Sequence, residues 1–162
     1  MTTDPVSSII SSENDHYRFM KQAINEARYA SEIGEIPVGA VITYKNRIIA
    51  RGHNQVELLS DPTAHAEMIA LTAAFEHLQE KYLQSCTMYV TLEPCPMCAG
   101  ALVWAKLDKL VIAAQDEHSG ACGSLFNIAS NRKLNHQIEI VQGILEQESE
   151  DLLTRFFRQL RQ

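Results

Sequence analysis

Short apolar runs alternate with longer amphipathic stretches, and this alternation constrains the fold of the chain more than any other feature. The runs are V-G-A-V-I-T-Y (38–44), C-T-M-Y-V-T-L (86–92), L-V-I-A-A (110–114) and I-E-I-V-Q (138–142). Their length and their β-branched and aromatic content read as strands. R-I-I-A-R-G (47–52) follows the first run across Lys45-Asn46, and so short a link predicts a β-hairpin. The stretches between carry helical spacing. Phe19, Ala23, Ala27 and Ala30 mark one face of a helix over 14–33 that Gly34 ends. Met68, Ile69, Leu71, Thr72, Phe75 and Leu78 form the expected buried stripe of a helix over 65–78. Further helices are expected over 96–106, near Leu125–Ala129, and from about Leu145, where Leu152, Leu153, Phe156, Phe157 and Leu160 would face inward. The pattern predicts an α/β protein: a three-layer α/β/α sandwich around a five-stranded mixed sheet. Its first two strands form an antiparallel hairpin and the remaining strands run mostly parallel. No repeat or linker divides the chain. Residues 14–162 are expected to be a single domain behind a polar, Ser-rich and flexible N-terminal extension, 1–13.

Composition narrows the class. No apolar run approaches the ~20 residues of a membrane helix, and the N-terminus lacks the basic start and apolar stretch of a signal peptide. The chain has four cysteines. Without an export signal they point to a reducing, cytoplasmic setting and to metal or catalytic roles rather than disulfides. The net charge of -6 argues against a broad nucleic-acid footprint and leaves room for a local basic patch only. The closing helix has such an end, Arg155, Arg158 and Arg161, after an acidic start. Matching of the helix macrodipole accounts for that gradient, and a phosphate-facing end is the functional alternative.

The chemistry concentrates in T-A-H-A-E-M (63–68) and E-P-C-P-M-C-A-G (93–100). Both fall where a helix begins, and in parallel sheets sites form at the carboxyl ends of strands. Helix starts lower thiol pKa values, and prolines 94 and 96 suit a helix start because their missing N–H is not needed there. One imidazole and two thiolates, from His65, Cys95 and Cys98, favour zinc. Three protein ligands leave a tetrahedral position for water, which marks a catalytic zinc. Glu67, two residues beyond His65, points to a different side of the helix and is placed to carry protons rather than to ligate. H-x-E with P-C-x-x-C is the known signature of zinc nucleobase deaminases. Two other readings of the cysteines stay open: a redox pair, which needs no H-A-E, and a closed structural zinc. The latter would draw its fourth ligand from Cys86, Cys122, His53 or His77.

At these residues the chain resembles the cytidine/deoxycytidylate deaminase superfamily, and within it the bacterial tRNA-specific adenosine deaminases. The resemblance runs from E-I-P-V-G-A-V-I (35–42) through G-H-N (52–54), D-P-T-A-H-A-E-M (61–68), Y-V-T-L-E-P-C-P-M-C-A-G-A-L (89–102), G-A-C-G-S-L-F-N (120–127) and L-N-H (134–136) to L-L-T-R-F-F-R (152–158). It implies a cytidine-deaminase-like fold, one zinc per subunit, and hydrolytic conversion of adenosine to inosine at the wobble position of a tRNA anticodon. The stem-loop of a tRNA-Arg is the implied substrate, and the implied assembly is a homodimer. Asn54 would bond the flipped nucleoside. Ile36, Pro37 and Val38 would line the base pocket, and Ala66 and Glu93 would offer it backbone contacts. Asp116 would meet a neighbouring ribose. Asn135, His136, Phe156, Phe157 and Arg158 would face the RNA. Two alternatives accompany this reading: a deaminase of free bases or nucleosides such as guanine, and a non-catalytic RNA-binding protein with a structural zinc.

Overall fold

In a computed structural model, residues 5–162 are described, with side chains from residue 12 onward. The first helix, α1, spans Pro5–Glu32 and so begins ahead of the expected residue 14. Of the expected flexible extension, residues 1–4 lie outside the described residues. Phe19, Ala23, Ala27 and Ala30 are all buried, as their spacing requires. Gly34 ends the helix with φ +84°, a conformation only glycine adopts freely.

Strand β1 (Gly39–Tyr44) and strand β2 (Arg47–His53) form the hairpin. Lys45 and Asn46 both have positive φ, as a two-residue turn matched to strand twist demands. A short helix α2 (Val56–Leu59) and then α3 (Ala66–Leu78) lead to β3 (Cys86–Leu92). Helix α4 (Pro96–Trp104), β4 (Lys109–Ala114), β5 (Glu139–Gln142) and α5 (Glu146–Leu160) complete the chain. The sheet order is β2-β1-β3-β4-β5. β1 pairs antiparallel with β3 as well as with β2, while β3–β4 and β4–β5 are parallel.

Alternation along the strands sends side chains to two cores. Ile42, Met88, Val90, Leu110 and Ile112 pack under α3 and α4. Val41, Tyr89, Val111 and Ala113 pack under α1 and α5. This is the expected α/β/α sandwich. Arg28 of α1 also ion-pairs with Glu148 of α5 on that second face.

Three local expectations need correction. No helix forms near Leu125–Ala129. The amides of Leu125 and Phe126 both donate to Gly120 O, and Ile128 N donates to Ala121 O, so a tight loop closed by the bridge Cys122–Asn127 takes the place of a helix. In α3 the innermost residues are Ala66, Ala70, Leu71 and Ala74, and Thr72 is exposed. In α5 Leu152 and Phe156 are buried, whereas Phe157 and Leu160 are exposed.

Candidate active site

Helices α3 and α4 both start at the carboxyl end of the central strands. His65 occupies the N-cap position of α3, and Cys95 that of α4, with Pro96 immediately after. Extended backbone at both caps turns the side chains out of the helix toward each other. Cys98 lies one turn into α4 and is buried. The Nδ1 atom of His65 is 3.7 Å from Cys95 Sγ and 3.6 Å from Cys98 Sγ. The ligand atoms of all three lie within 4.8 Å of one another. No fourth His, Cys, Asp or Glu joins this group among the described residues, and Cys86, Cys122, His53 and His77 all stand outside it. Burial pushes the Cys86 thiol up to about 11 and the Cys122 thiol up to about 12. Both therefore behave as packing residues.

Cys95 and Cys98 divide one proton between them. A hydrogen bond from Cys98 holds Cys95 down at about 5. That same bond, with burial, pushes Cys98 far above the ordinary thiol range. A divalent cation replaces such a shared proton readily, because thiolates are the ligating form. The donor set of one imidazole nitrogen and two sulfurs fits zinc and leaves a coordination position open.

Glu67, in the first turn of α3, is 4 % exposed. Burial pushes its carboxyl up to about 7, against the pull of its own backbone N–H and the His65 ring. A cavity of about 1170 Å³ opens above it. Ile36, Val38, Asn54, Ala66, Glu93, Asp116, Phe156 and Phe157 all line that cavity with His65, Glu67 and Cys95. Pro37 is buried beside it and does not line it. Arg158 lies on an adjoining groove with Leu153, Thr154, Phe157 and Arg161.

Asn135 and His136 are not brought to the cavity within one chain. Asn135 is exposed, and His136 Nε2 donates to Leu107 O at 2.6 Å, at the amino end of β4 and thus the far end of the sheet.

Glu93 has a task beyond its backbone. Its buried carboxylate accepts from the amides of Cys122 and Ser124, at 3.1 and 3.2 Å, and from the Ser124 hydroxyl. It thereby ties down the loop that follows Asp116. Glu35, Gln115, His118 and Glu150 also line the cavity, and sequence reasoning missed them. Glu35 opens the E-I-P-V-G-A-V-I run but carried no assigned role there, and Gln115, His118 and Glu150 belong to no quoted motif, so only their place in the fold reveals them.

Residues 14–161 match the MafB19-like deaminase family. The chain is 47% identical to the tRNA-specific adenosine deaminase of Bacillus subtilis strain 168, over 88% of this chain and 89% of that protein. It is 48% identical to the protein of the same name from Aquifex aeolicus, over 88% of this chain and 94% of that one. A solved structure from a study of A-to-I editing by tRNA:A34 deaminases at the wobble position superposes with a TM-score of 0.81 at 40% identity, covering 84% of this chain and 99% of that one. The chain therefore belongs to the MafB19-like deaminase family and groups within it with the bacterial tRNA-specific adenosine deaminases.

Proposed function

We propose that the protein converts adenosine to inosine at the wobble position of a tRNA anticodon, with the stem-loop of a tRNA-Arg as its substrate. The observation that carries this reading is the likeness, across 88% of the chain, to proteins named tRNA-specific adenosine deaminase. The chemistry of the cavity supports it. His65, Cys95 and Cys98 would hold one zinc ion per subunit. Zinc, when bound, supplies Lewis acidity that makes water a nucleophile near neutral pH.

The chain's own groups do the rest. Adenine C6 is out of reach in a stacked anticodon, so the nucleotide swings into the cavity. Asn54, Ile36, Val38 and the backbone of Ala66 and Glu93 hold the base, with Pro37 setting the course of the wall from behind. Asp116 meets a neighbouring ribose. Glu67 takes a proton from the attacking water and delivers protons to the ring nitrogen and the departing amine. Water and adenosine thus become inosine and ammonia. A carboxyl with a pKa near neutrality suits both directions of transfer, and a nearby dication would draw it lower.

Exposed Phe157 and, in the adjoining groove, Arg158 would meet the rest of the loop, while buried Phe156 would face the flipped nucleotide from the cavity wall. Asn135 and His136, far from the cavity in their own chain, would serve RNA only across a homodimer, and a tRNA substrate would place that assembly in the cytoplasm. Incubating the protein with a tRNA-Arg anticodon stem-loop and sequencing the product tests the reading. The wobble adenosine is expected to read as guanosine. An unchanged wobble base, with ammonia released from guanine or free adenosine, would replace this reading with the free-base one.

A further inference from the structure

Glu35 is a buried carboxylate with no part in the proton transfer described above. It is 1 % exposed and lines the cavity. Its Oε1 accepts from Leu58 N at 2.7 Å, and its Oε2 accepts from Glu57 N at 3.2 Å. Oε2 also accepts from Asn54 Nδ2 at 3.1 Å. The carboxylate thus has a donor on each oxygen, as a buried carboxylate needs.

These bonds settle which way the Asn54 amide faces. A carboxylate only accepts, so the nitrogen end of the amide must point at Glu35. The main chain of Asn54 is held as well, by its N–H donating to Val38 O at 3.1 Å. What remains is Oδ1. Asn54 lines the cavity, and no described residue donates to its Oδ1.

We propose that Glu35 is a positioning residue: it locks the Asn54 amide with Oδ1 toward the cavity, so that the pocket presents an acceptor there and selects a substrate carrying a hydrogen-bond donor opposite it. The selection rests on the reading of this cavity as a nucleoside site. The donor is a hydroxyl or an N–H group.

Reversing the polarity of the pair tests this. In Glu35→Gln the oxygen of the new amide stays with Leu58 N, its shorter partner, and an NH2 group faces both Asn54 and the Glu57 N–H, whose long bond is lost in the single and double variants alike. Two NH2 groups cannot pair, so Asn54 turns over and shows the cavity a donor. Turnover of the anticodon stem-loop, as kcat/KM, is expected to fall about ten- to a hundredfold. Asn54→Asp alone sets two carboxylates together and is expected to be at least as poor. The double variant Glu35→Gln, Asn54→Asp restores an acceptor facing the cavity, and recovers most of the loss. A role in folding alone would not produce that recovery. Glu35→Gln within about twofold of wild type, or a double variant no better than Glu35→Gln, overturns the proposal.

A measurement on the unaltered protein covers the case in which a variant does not fold. With isotope-labelled protein, the Asn54 side-chain NH2 is expected to exchange with water much more slowly than that of exposed Asn135. Equal exchange overturns the lock. This measurement needs no substrate. Wild-type protein that leaves the stem-loop unedited would therefore refute the proposed function, while the exchange rates still decide on Glu35.

Discussion

At the scale of single residues, two side chains divide the work of holding a metal from that of moving a proton. Cys98 is buried and faces His65 Nδ1. Cys98→Ala removes one of three donors, and elemental analysis of the purified protein should show zinc falling from one per chain to near none. Glu67 stands outside the ligand group. Glu67→Gln should keep its zinc and lose turnover by about a hundred- to ten-thousandfold. Parallel loss of zinc and turnover in Glu67→Gln would make Glu67 a ligand instead. That both residues would come to one site was legible in the sequence, because H-x-E and C-x-x-C each fall at a helix start. Glu35 and Glu93 were not legible in the same way. Nothing local announces that a glutamate beside an apolar run will be buried; it becomes buried because remote backbone amides, those of Leu58 or Cys122, come to its oxygens.

At the scale of elements, the site depends on how closely helices approach the sheet. A Cβ at Gly52 of β2 would meet Ala66 O at 2.4 Å and Ala70 N at 2.8 Å. A Cβ at Gly39 of β1 would meet Ala23 O at 2.2 Å. Both contacts are with helix backbone, which cannot step aside as a flexible side chain can. Small residues of α3, Ala66, Ala70 and Ala74, complete the close approach. This is why the expected stripe on α3 was displaced. Hydropathy ranks Met68 and Phe75 above alanine, whereas at so short a helix–sheet distance only alanine fits the innermost positions. Gly52→Ala should cost about 1–3 kcal/mol, read as a fall in Tm. It should also weaken zinc binding, because Ala66 adjoins His65. A lowered Tm with zinc binding intact would show that the N-cap of α3 tolerates the shift.

At the scale of the whole molecule, charge and substrate pull in different directions. The chain carries a net charge of -6, and Glu57, Asp116, Glu117, Glu146 and Glu150 all line the cavity. A polyanion approaching that rim needs compensation close by. Helix α5 offers it near its end, where Arg158 shares a groove with the exposed ring of Phe157. Affinity for the stem-loop should therefore depend on few phosphates. Arg158→Ala is expected to weaken binding across salt concentrations and to reduce the slope of log K against log salt by about 1. An unchanged slope would move the phosphate contact elsewhere. Among the described residues no helix is long and apolar enough to cross a membrane.

By itself, the sequence determined the alternation of strands and helices, the hairpin at Lys45-Asn46, the helix stop at Gly34 and the four residues at the chemical centre. Each of these rests on neighbours a few positions apart, through φ preference, side-chain period or a cap. Tertiary structure alone decided which faces of α3 and α5 went inside, that β1 would lie beside β3, and that the loop after Gly120 would curl around Glu93 instead of forming a helix. It also placed His136 at the far end of the sheet from His65. Those outcomes depend on hydrogen bonds and contacts between residues tens of positions apart, and no local pattern encodes a partner that only folding brings near.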